Sequence, residues 1–330
     1  MVKILVIRFS SIGDIVLTSP VIRCLKNQMP ESELHYITKA QFLPVLEANP
    51  YIDRIHTIKD KVSEVLNELK EEHYDHVVDL HKNFRSKEIC LKLGKGCTSF
   101  DKINFRKWLI VNFKYDRLPP VHIVDRYFGA VSHLGVTNDN GGLDYFIPPR
   151  YDCMPQELPA PFRERYIGWV IGGKHNTKVY PEEKVIGACS RIPQPVVLIG
   201  GPEDMEKGDR IGKTAGSHVF NACGKLNLSQ SASVVKNAAL VLTNDTGMMH
   251  VAAAFRKRII SFWGNTIPEF GMYPYMPGDG SKSRMLEVKD LSCRPCSKLG
   301  YRSCPRGHFR CMNDIGTEQV IKLIEEGLNS

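Results

Sequence analysis

Residues 4–20 read ILVIRFSSIGDIVLTSP. Four apolar residues open the stretch, and a short apolar run bounded by turn residues is typical of a buried strand. A Ser-Ser-Ile-Gly turn then leads to Asp14, where a helical pattern begins. An aspartate at a helix start often caps the free amides of the first turn. The same carboxylate could also take part in chemistry, and this stretch by itself leaves both interpretations open.

The strand-then-helix pattern of residues 4–20 recurs along the chain. Short β-branched runs alternate with amphipathic segments, which predicts parallel sheets covered by helices on both faces. The predicted strands are 3–8, 33–37, 54–58, 76–80, 166–171, 195–199, 239–243 and 258–262. We therefore predict an α/β fold with two doubly wound domains.

Length and proline content indicate where the domains meet. The chain has 330 residues, which suggests two domains of roughly 150 residues each. Residues 148–161 hold five prolines in fourteen positions, a composition typical of a linker. We expect an N-terminal domain over 1–150 and a C-terminal domain over 151–330. The last helix, predicted over 317–328, is a candidate to pack back on the N-terminal domain.

Composition favours a globular chain without a membrane span. Hydrophobic residues make up 42% of the chain and charged residues 24%. No apolar run approaches the ~18 residues that cross a bilayer, and the first residues lack the apolar core of ~7 to 15 residues that a signal peptide needs. We expect a cytoplasmic location, where the ten cysteines would be mostly reduced.

The net charge of +8 is concentrated in two stretches. Residues 81–117 hold ten basic and three acidic residues, and residues 281–310 hold eight and two. A localised basic surface fits a phosphorylated partner, an anionic membrane or nucleic acid, and ordinary solvated helix faces are the alternative. Apolar residues within the first stretch would form either a membrane-touching helix face or part of the core: Trp108, Leu109, Ile110, Val111 and Phe113.

Residues 241–254, VLTNDTGMMHVAAA, contain a second strand-to-helix turn that carries an aspartate. Asp245 lies in the turn, and Thr246 and Gly247 open the helix. Amides at a helix N-terminus attract anions, and glycine lets a phosphate approach the backbone. Capping by Asp245 is the simpler alternative. His250, one turn into the helix, would either contact a ligand or pack inside the domain.

Residues 170–181, VIGGKHNTKVYP, form a similar turn. The turn contains Gly172 and Gly173, and the polar loop after it contains Lys178. A lysine beside a glycine-rich turn provides the mobile positive charge that a diphosphate needs. Ligands of doubly wound sheets bind outside the carboxyl ends of the strands, which is where these turns are predicted to lie.

Two common nucleotide-binding signatures are missing from the sequence. Residues 208–214, GDRIGKT, have three residues between the glycines where a Walker loop has four, and they lie in a helical pattern. The G-x-G at 94–96 lacks a third glycine and follows a predicted helix. Both absences argue against kinases, ATPases and most dehydrogenases.

Four separated motifs resemble those of one family. They are SSIGDIVLTSP at 10–20, GGKHNTKVYP at 172–181, TNDTGMMHVAAA at 243–254 and CPRGHFRCMNDI at 304–315. The chain is similar in these motifs to the ADP-heptose:lipopolysaccharide heptosyltransferases of glycosyltransferase family nine. This resemblance implies a GT-B-like architecture, with two Rossmann-like domains facing each other across a cleft. It also implies an inverting sugar transfer that requires no metal or other cofactor.

The resemblance further implies roles for individual residues. Asp14 matches the proposed general base, and Asp245 matches the position that touches the transferred sugar. Lys178, Thr246 and Gly247 match the diphosphate-binding positions. The predicted donor-binding set is Gly172, Gly173, Thr177, Lys178, Asp245, Thr246, Gly247 and His250. The predicted acceptor-side set is Ser10, Ser11, Gly13, Lys82 and Arg85.

The implied reaction moves a heptose or related sugar from a nucleotide diphosphate, with ADP-heptose as the expected donor, to a lipopolysaccharide inner-core acceptor. The implied partners are this donor, a phosphorylated lipid-linked glycan and, as a peripheral contact, the cytoplasmic face of an anionic inner membrane. Nucleic acid is not expected. A glutamate that contacts the ribose in some members has no counterpart, because Ser229 and Gln230 stand in that region. Another nucleotide sugar and a surface-glycan acceptor therefore form the alternative.

The C-terminal region contains a cysteine pattern, C-x2-C-x7-C-x6-C, formed by Cys293, Cys296, Cys304 and Cys311. This spacing favours a structural zinc site, with His308 as a substitute ligand, and free or disulfide-linked thiols are the alternative. Together with the basic stretches, it leaves a remote alternative function, that of a zinc-containing nucleic-acid-binding protein. The single C-x-x-C and the lack of a recognition module argue against that function.

Overall fold

The computed structural model describes residues 1–94, 96–152 and 154–329. These residues form one five-stranded and one six-stranded sheet, and the paired strands in both run parallel. Parallel neighbours need crossover connections, and helices provide most of them. The predicted α/β class with two doubly wound sheets is confirmed.

The first sheet consists of β1 Val2–Ile7, β2 Ser32–Lys39, β3 Arg54–Ile58, β4 His76–Asp79 and β5 Cys97–Ser99. Its strand order is β3-β2-β1-β4-β5. The order reverses between β1 and β4, and such a switch point opens a crevice at the carboxyl ends of the strands. The turns after β1 and β4 therefore occupy the ligand-binding position of this sheet.

The second sheet consists of β6 Ile167–Val170, β7 Val196–Ile199, β8 Val219–Asn221, β9 Leu240–Asn244, β10 Ile259–Trp263 and β11 Ser283–Glu287. Its strand order is β11-β10-β9-β6-β7-β8, with the switch point between β6 and β9. The turns after these two strands are the two glycine-containing motifs that the sequence predicts to bind a diphosphate.

The helices are α1 Ile12–Val16, α2 Ser19–Gln28, α3 Leu66–Glu71, α4 Phe84–Leu93, α5 Asn104–Phe113, α6 Ile123–Phe128, α7 Glu182–Cys189, α8 Met205–Ala215, α9 Leu228–Asn237, α10 Gly247–Ala254, α11 Arg310–Asn313 and α12 Thr317–Asn329. The false Walker match at 208–214 lies inside α8, as its pattern indicates. Within the described residues, none of these helices has the length and apolar character that crossing a bilayer requires.

The chain divides into two compact units. The first comprises Met1–Lys102 with Val121–Pro148, and the second comprises Ile103–Pro120 with Pro149–Ser330. The division at Pro148 falls inside the predicted linker. One segment departs from the predicted domains, because residues 103–120, which contain α5, group with the second unit although they precede the linker.

The last helix packs on the second unit. Val320 and Ile324 of α12 are fully buried in the core of that unit, and a Cβ added at Gly327 would lie 3.1 Å from Leu240 of β9. That this helix also packs back on the N-terminal domain stays a prediction, and its apolar residues are used within the second unit. Its apolar stripe covers β9 and α7, which would otherwise expose apolar side chains to water.

Three strands are absent from the sequence prediction, namely β5, β8 and β11. All three lie at sheet edges. An edge strand is partly solvated, so its sequence lacks the continuous apolar run of a strand that is buried on both faces. Most residues of β5 and β11 are indeed exposed or half-buried.

Candidate active site

Asp14 lies in the first turn of α1, directly after β1. Its carboxylate accepts hydrogen bonds from the Ser11 backbone amide at 3.2 Å and from the Ser11 hydroxyl at 2.9 Å. Arg8 Nη2 lies 2.6 Å from Asp14 Oδ1. The Asp14 side chain is still 24% exposed. The capping interpretation and the chemical one are therefore compatible, because the carboxylate closes the helix start and remains accessible.

Arg8 holds this carboxylate in one orientation. Its buried guanidinium also donates to the Ser10 carbonyl at 2.8 Å, to the Leu80 carbonyl and to the Tyr127 hydroxyl at 3.1 Å. Burial acts to lower the pKa of Arg8, but the charge of Asp14 and the neighbouring tyrosines raise the pKa overall. Arg8 is thus a permanent cation fixed by several acceptors.

The other predicted acceptor-side residues follow β4, with Lys82 in the turn and Arg85 in the first turn of α4. The Asp79 carboxylate accepts the backbone amides of His81 at 2.8 Å and Lys82 at 2.6 Å, which closes the turn. Lys82 Nζ donates to the Phe100 carbonyl at 2.9 Å, and Arg85 is exposed. Strand order brings this turn beside that of Asp14, because β1 and β4 are neighbours.

His81 is a residue of this region that the sequence prediction missed. Its ring meets Phe9 edge-on, with centroids 5.4 Å apart, and its Nδ1 is buried without a hydrogen-bond partner in the described part of the chain. Burial, followed by the charge of Arg8, lowers the pKa of His81 to about 3. A neutral imidazole near Asp14 can donate or accept a hydrogen bond. The available signal was a polar residue directly after a predicted strand.

The remaining acceptor-side residues surround Asp14 in the chain. Ser11 is exposed and is the N-cap of α1, and Gly13 is buried within the helix. Ser10 contributes its carbonyl to Arg8, and the Ser10–Ser11 peptide bond is cis. All three residues shape the turn that presents the carboxylate.

A lysine–aspartate pair lies at the switch point of the second sheet. Lys178 Nζ is 2.5 Å from Asp245 Oδ2, and the Thr266 hydroxyl donates to the same oxygen at 2.8 Å. The Lys178 and Asp245 side chains are 17% and 11% exposed. The structure thus joins the two predicted diphosphate turns and adds Thr266, which follows β10 and which the sequence prediction missed.

Side-chain packing holds the two turns against each other. The Asn244 amide donates to the Gly172 carbonyl at 2.9 Å, and a Cβ at Gly173 would lie 3.5 Å from the Thr246 methyl group. A Cβ at Gly172 would lie 2.1 Å from Asp204 Oδ2. Gly172 is therefore required by the packing of Asp204, whereas Gly173 lies against the start of α10.

Helix α10 begins without side-chain capping. Thr246 is the N-cap in extended conformation, and its side chain makes no capping hydrogen bond. Asp245 is engaged with Lys178 and is not the cap, so the simpler interpretation of this turn is wrong. Gly247 is the first helical residue, and His250 is buried. The first-turn amides and the positive helix end favour an anion at this point.

Thr177, predicted to bind the donor, is buried and has an internal role. Its hydroxyl donates to Asn265 Oδ1 at 3.0 Å and accepts from the Tyr301 amide at 2.8 Å. These bonds fasten the loop that carries the adjacent Lys178. In this structure Thr177 positions the lysine.

The region of the missing ribose-binding glutamate starts α9. Gln230 accepts the Asn227 amide at 2.9 Å through its side chain, and Asn227 accepts the Gln230 amide in return at 2.9 Å. Ser229 is buried. Gln230 therefore serves the helix start, and Ser229 is enclosed within the unit.

Arg294 links the cysteine-rich segment to the lysine–aspartate pair. Its buried guanidinium donates to the Gly264 carbonyl at 2.7 Å and to the Thr266 carbonyl at 2.9 Å, and lies 2.7 Å from Glu287. It thereby holds the loop that contains Thr266, whose hydroxyl contacts Asp245. Nothing in the sequence distinguishes Arg294, because it is one of eight basic residues in 281–310.

The four predicted zinc ligands are not gathered into a closed set. Cys293 Sγ lies 3.8 Å from His308 Nε2. Among the described residues, however, the four cysteines do not form a group whose ligand atoms all lie within 4.8 Å of one another. The zinc site stays a prediction. Elemental analysis of the purified protein tests it, and less than about a tenth of an equivalent of zinc per chain would count against the site.

Elsewhere, Cys90 and Cys97 form a disulfide bond.

A group that meets this distance criterion is Glu33, His35 and Glu72. Lys3 Nζ already lies 2.6 Å from Glu72 and 3.4 Å from Glu33. Arg54 also pairs with Glu72, so two cations face the two carboxylates, and the group is better explained as an ion-pair network than as a metal centre.

Comparison with known proteins agrees with the geometry. Residues 62–300 match the family model of glycosyltransferase family 9 (heptosyltransferase). The sequence is 22% identical to lipopolysaccharide heptosyltransferase 1 of Campylobacter coli, over 98% of each chain. The structure is similar to that of a family 9 glycosyl transferase from Veillonella parvula, with a TM-score of 0.79, 27% identity and coverage of 99% of this chain and 97% of that chain.

An E. coli heptosyltransferase solved with ADP-2-deoxy-2-fluoro heptose has the same fold. The TM-score is 0.68 at 20% identity, and the match covers 98% of this chain and 99% of that chain. The family model spans well over half of the chain. The chain therefore belongs to glycosyltransferase family 9, the heptosyltransferase family, and is a glycosyltransferase.

Proposed function

We propose that this enzyme transfers a heptose from ADP-heptose to the inner core of lipopolysaccharide, with inversion at the anomeric carbon and without a catalytic metal. The observation that carries the proposal is the contact of Lys178 with Asp245 at the start of α10, at the switch point of the second sheet. The E. coli relative solved with an ADP-linked fluoroheptose supports the choice of donor.

The second unit would bind the donor diphosphate. Lys178 has a flexible chain, so its ammonium can turn from Asp245 to a phosphate oxygen while the first-turn amides of α10 contact the other phosphate. Negative charge grows on the diphosphate as its bond to the sugar breaks. Fixed donors at such a position typically stabilise the transition state by about 3 kcal/mol each. This arrangement supplies the positive charge that a metal ion supplies in other transferases.

In the first unit, Asp14 would act as the general base. The acceptor oxygen attacks the anomeric carbon on the face opposite the diphosphate, the bond from that carbon to the diphosphate oxygen breaks, and the acceptor proton passes to Asp14. In an oxocarbenium-like transition state the proton can leave late, so a carboxylate is basic enough. Arg8 and Ser11 hold the carboxylate, and its partial exposure leaves it accessible.

The acceptor would be a phosphorylated, lipid-linked sugar. Lys82 and Arg85 lie on the turn beside that of Asp14 and carry positive charge suited to acceptor phosphates. A peripheral enzyme on the cytoplasmic face of the inner membrane would meet such an acceptor directly. Basic residues near an anionic surface contribute about 1 kcal/mol each to this attraction.

The test is a transfer reaction with ADP-heptose and a deacylated inner-core acceptor. We expect release of ADP, a product of inverted anomeric configuration by NMR, and a rate that EDTA leaves unchanged. Retained configuration contradicts the mechanism. A rate that EDTA abolishes and a divalent cation restores contradicts metal independence.

Thermal shifts with ADP, UDP, GDP, CMP and their sugars test the donor. A ligand at 100 times its dissociation constant stabilises the folded protein by about 2.7 kcal/mol. We expect the largest shift with ADP-heptose. A larger shift with another nucleotide sugar would favour the alternative donor and a surface-glycan acceptor.

A further inference from the structure

Helix α5 exposes a row of aromatic side chains. Phe105, Trp108 and Phe113 are 69%, 49% and 65% exposed. The Phe105 and Trp108 rings stack with centroids 6.0 Å apart, and the Trp108 and Phe113 rings meet edge-on at 5.2 Å. The three rings therefore form one continuous apolar surface, which we call the α5 aromatic surface. Contiguous exposed apolar surface on a globular protein usually marks an interaction site.

The opposite side of α5 is anchored to the second unit. Ile110 is buried against Ile267 and Phe270. Lys114 Nζ, at the end of the helix, donates to the Pro295 carbonyl at 2.6 Å and to the Cys293 carbonyl at 3.3 Å. These contacts fix α5 on the second unit through the side of the helix that faces away from the aromatic rings. The aromatic surface therefore belongs to a well-packed helix. This settles the choice between core and exposed face that the sequence left open: Ile110 is core, and Trp108 is exposed.

Positive charge surrounds the aromatic surface. Residues 103–120 contain four basic residues, Arg106, Lys107, Lys114 and Arg117, and one acidic residue, Asp116. The Arg117 guanidinium lies 4.7 Å from the centre of the Tyr115 ring, and Tyr115 is itself half exposed. Tryptophan and tyrosine favour the headgroup region of a bilayer, and basic residues favour anionic headgroups.

We propose that the α5 aromatic surface docks this enzyme on an anionic lipid bilayer. The aromatic rings would enter the interfacial region while Arg106 and Arg117 contact the headgroups. A second copy of the chain is a poorer occupant, because a symmetric contact would bring two basic segments together. The inference rests on the proposed function only in that a lipid-linked acceptor would require membrane attachment.

Tryptophan fluorescence tests the contact directly. The chain has three tryptophans, and Trp169 and Trp263 are each 1% exposed, so a change of emission on binding reports on Trp108. We expect vesicles of phosphatidylglycerol and phosphatidylcholine to shift the emission to the blue. Pure phosphatidylcholine vesicles, or high salt, should weaken the effect. An emission spectrum unchanged by anionic vesicles overturns the proposal.

A double variant, F105S with F113S, distinguishes binding through the α5 aromatic surface from non-specific binding to vesicles. It keeps Trp108 as the reporter, and we expect its vesicle affinity to fall by about tenfold or more, because two large side chains lose their apolar contact. The matched control is Met285→Ser, which removes another partly exposed apolar side chain of the second unit. Equal binding by the double variant and the wild type, or an equal loss in the control, contradicts the proposal.

Three further measurements keep the result interpretable. Sedimentation velocity tests for self-association, and a dimer that the double variant abolishes, without vesicle binding by the wild type, would assign the surface to a second copy instead. The ADP thermal shift and the rate with deacylated acceptor should be unchanged in the double variant. A wild-type protein that binds vesicles but transfers no heptose would contradict the proposed function and leave the docking surface supported.

Discussion

The two units each place an aspartate after a strand at a switch point and pair it with a cation. Arg8 lies 2.6 Å from Asp14 in the first unit, and Lys178 lies 2.5 Å from Asp245 in the second. The cations differ in how they are held. Arg8 is buried and has two further carbonyl acceptors and a tyrosine hydroxyl, whereas the side-chain amine of Lys178 is paired with Asp245.

This difference indicates two uses of the same motif. Separating a buried arginine with several fixed acceptors from its carboxylate costs much free energy, so Arg8 would keep Asp14 oriented for proton transfer. A lysine on a flexible chain can exchange its carboxylate for a phosphate. Under the proposed function, the first pair would act as a base held in one orientation, and the second would act as an anion-binding site. Each prediction below tests one side of this contrast.

The largest effect is expected for Asp14→Asn. Loss of a general base typically lowers the rate by about 10²- to 10⁴-fold, and ADP binding should be unchanged because the proposed donor-binding residues lie in the other unit. Steady-state transfer rates and ADP calorimetry measure the two quantities. Asp60→Asn, at a carboxylate that is 81% exposed, is the matched control. A near-normal rate in Asp14→Asn would remove this carboxylate from the mechanism.

Lys178→Ala should lower both the transfer rate and the affinity for ADP. Without the ammonium, transition-state stabilisation falls by about 3 kcal/mol, which is about a hundredfold in rate, and ADP affinity falls as well. Lys178→Arg keeps the charge and should recover part of both. If Lys178→Ala binds ADP as tightly as the wild type, the two aspartate–cation pairs do not differ as described.

Thr266→Val measures the support of Asp245. The hydroxyl that donates at 2.8 Å is lost at nearly constant volume, which should cost about 1 kcal/mol, or about fivefold in donor affinity. Thr266→Ser retains the hydroxyl and is the matched control. An equal loss in both variants would assign the effect to the methyl group and not to the hydrogen bond.

The last prediction concerns stability and not transfer, namely the pH dependence of the free energy of unfolding near Asp14. Burial and then Arg8 lower the pKa of His81 to about 3, below the ordinary value of about 6.5. The unfolded chain therefore gains a proton on this residue before the folded chain does. The free energy of unfolding should fall as the pH drops below about 6.5 towards 3.

His81→Gln should flatten this fall, as measured by melting temperatures across that pH range. Part of the slope should persist, because burial also lowers the pKa of His56. The exposed His73, replaced by Gln, is the control. An unchanged slope in His81→Gln would show that the imidazole is not held neutral by the environment around Arg8.

Local pattern was sufficient for much of the fold. The eight predicted strands are present, and the linker prediction contains the division at Pro148. Buried parallel strands must be continuously apolar, and strand-to-helix turns need particular residues. Both can therefore be recognised from residues that are adjacent in the sequence. The edge strands β5 and β11 are largely solvated, and β8 has only three residues, so none of them shows such a pattern. Motif resemblance singled out Asp14, Lys178 and Asp245, whose catalytic and binding roles remain predictions.

Local residue patterns were enough to predict the alternation of strands and helices and the turns that carry Asp14, Lys178 and Asp245. Contacts between distant parts of the chain place Thr266 and Arg294 against the turn of Asp245, His81 near Asp14, and α5 and α12 on the second unit. The physical reason is distance along the chain. Hydrophobic periodicity predicts which side of a helix or strand is apolar. The order of the strands in the sheet determines which distant elements pack against that side.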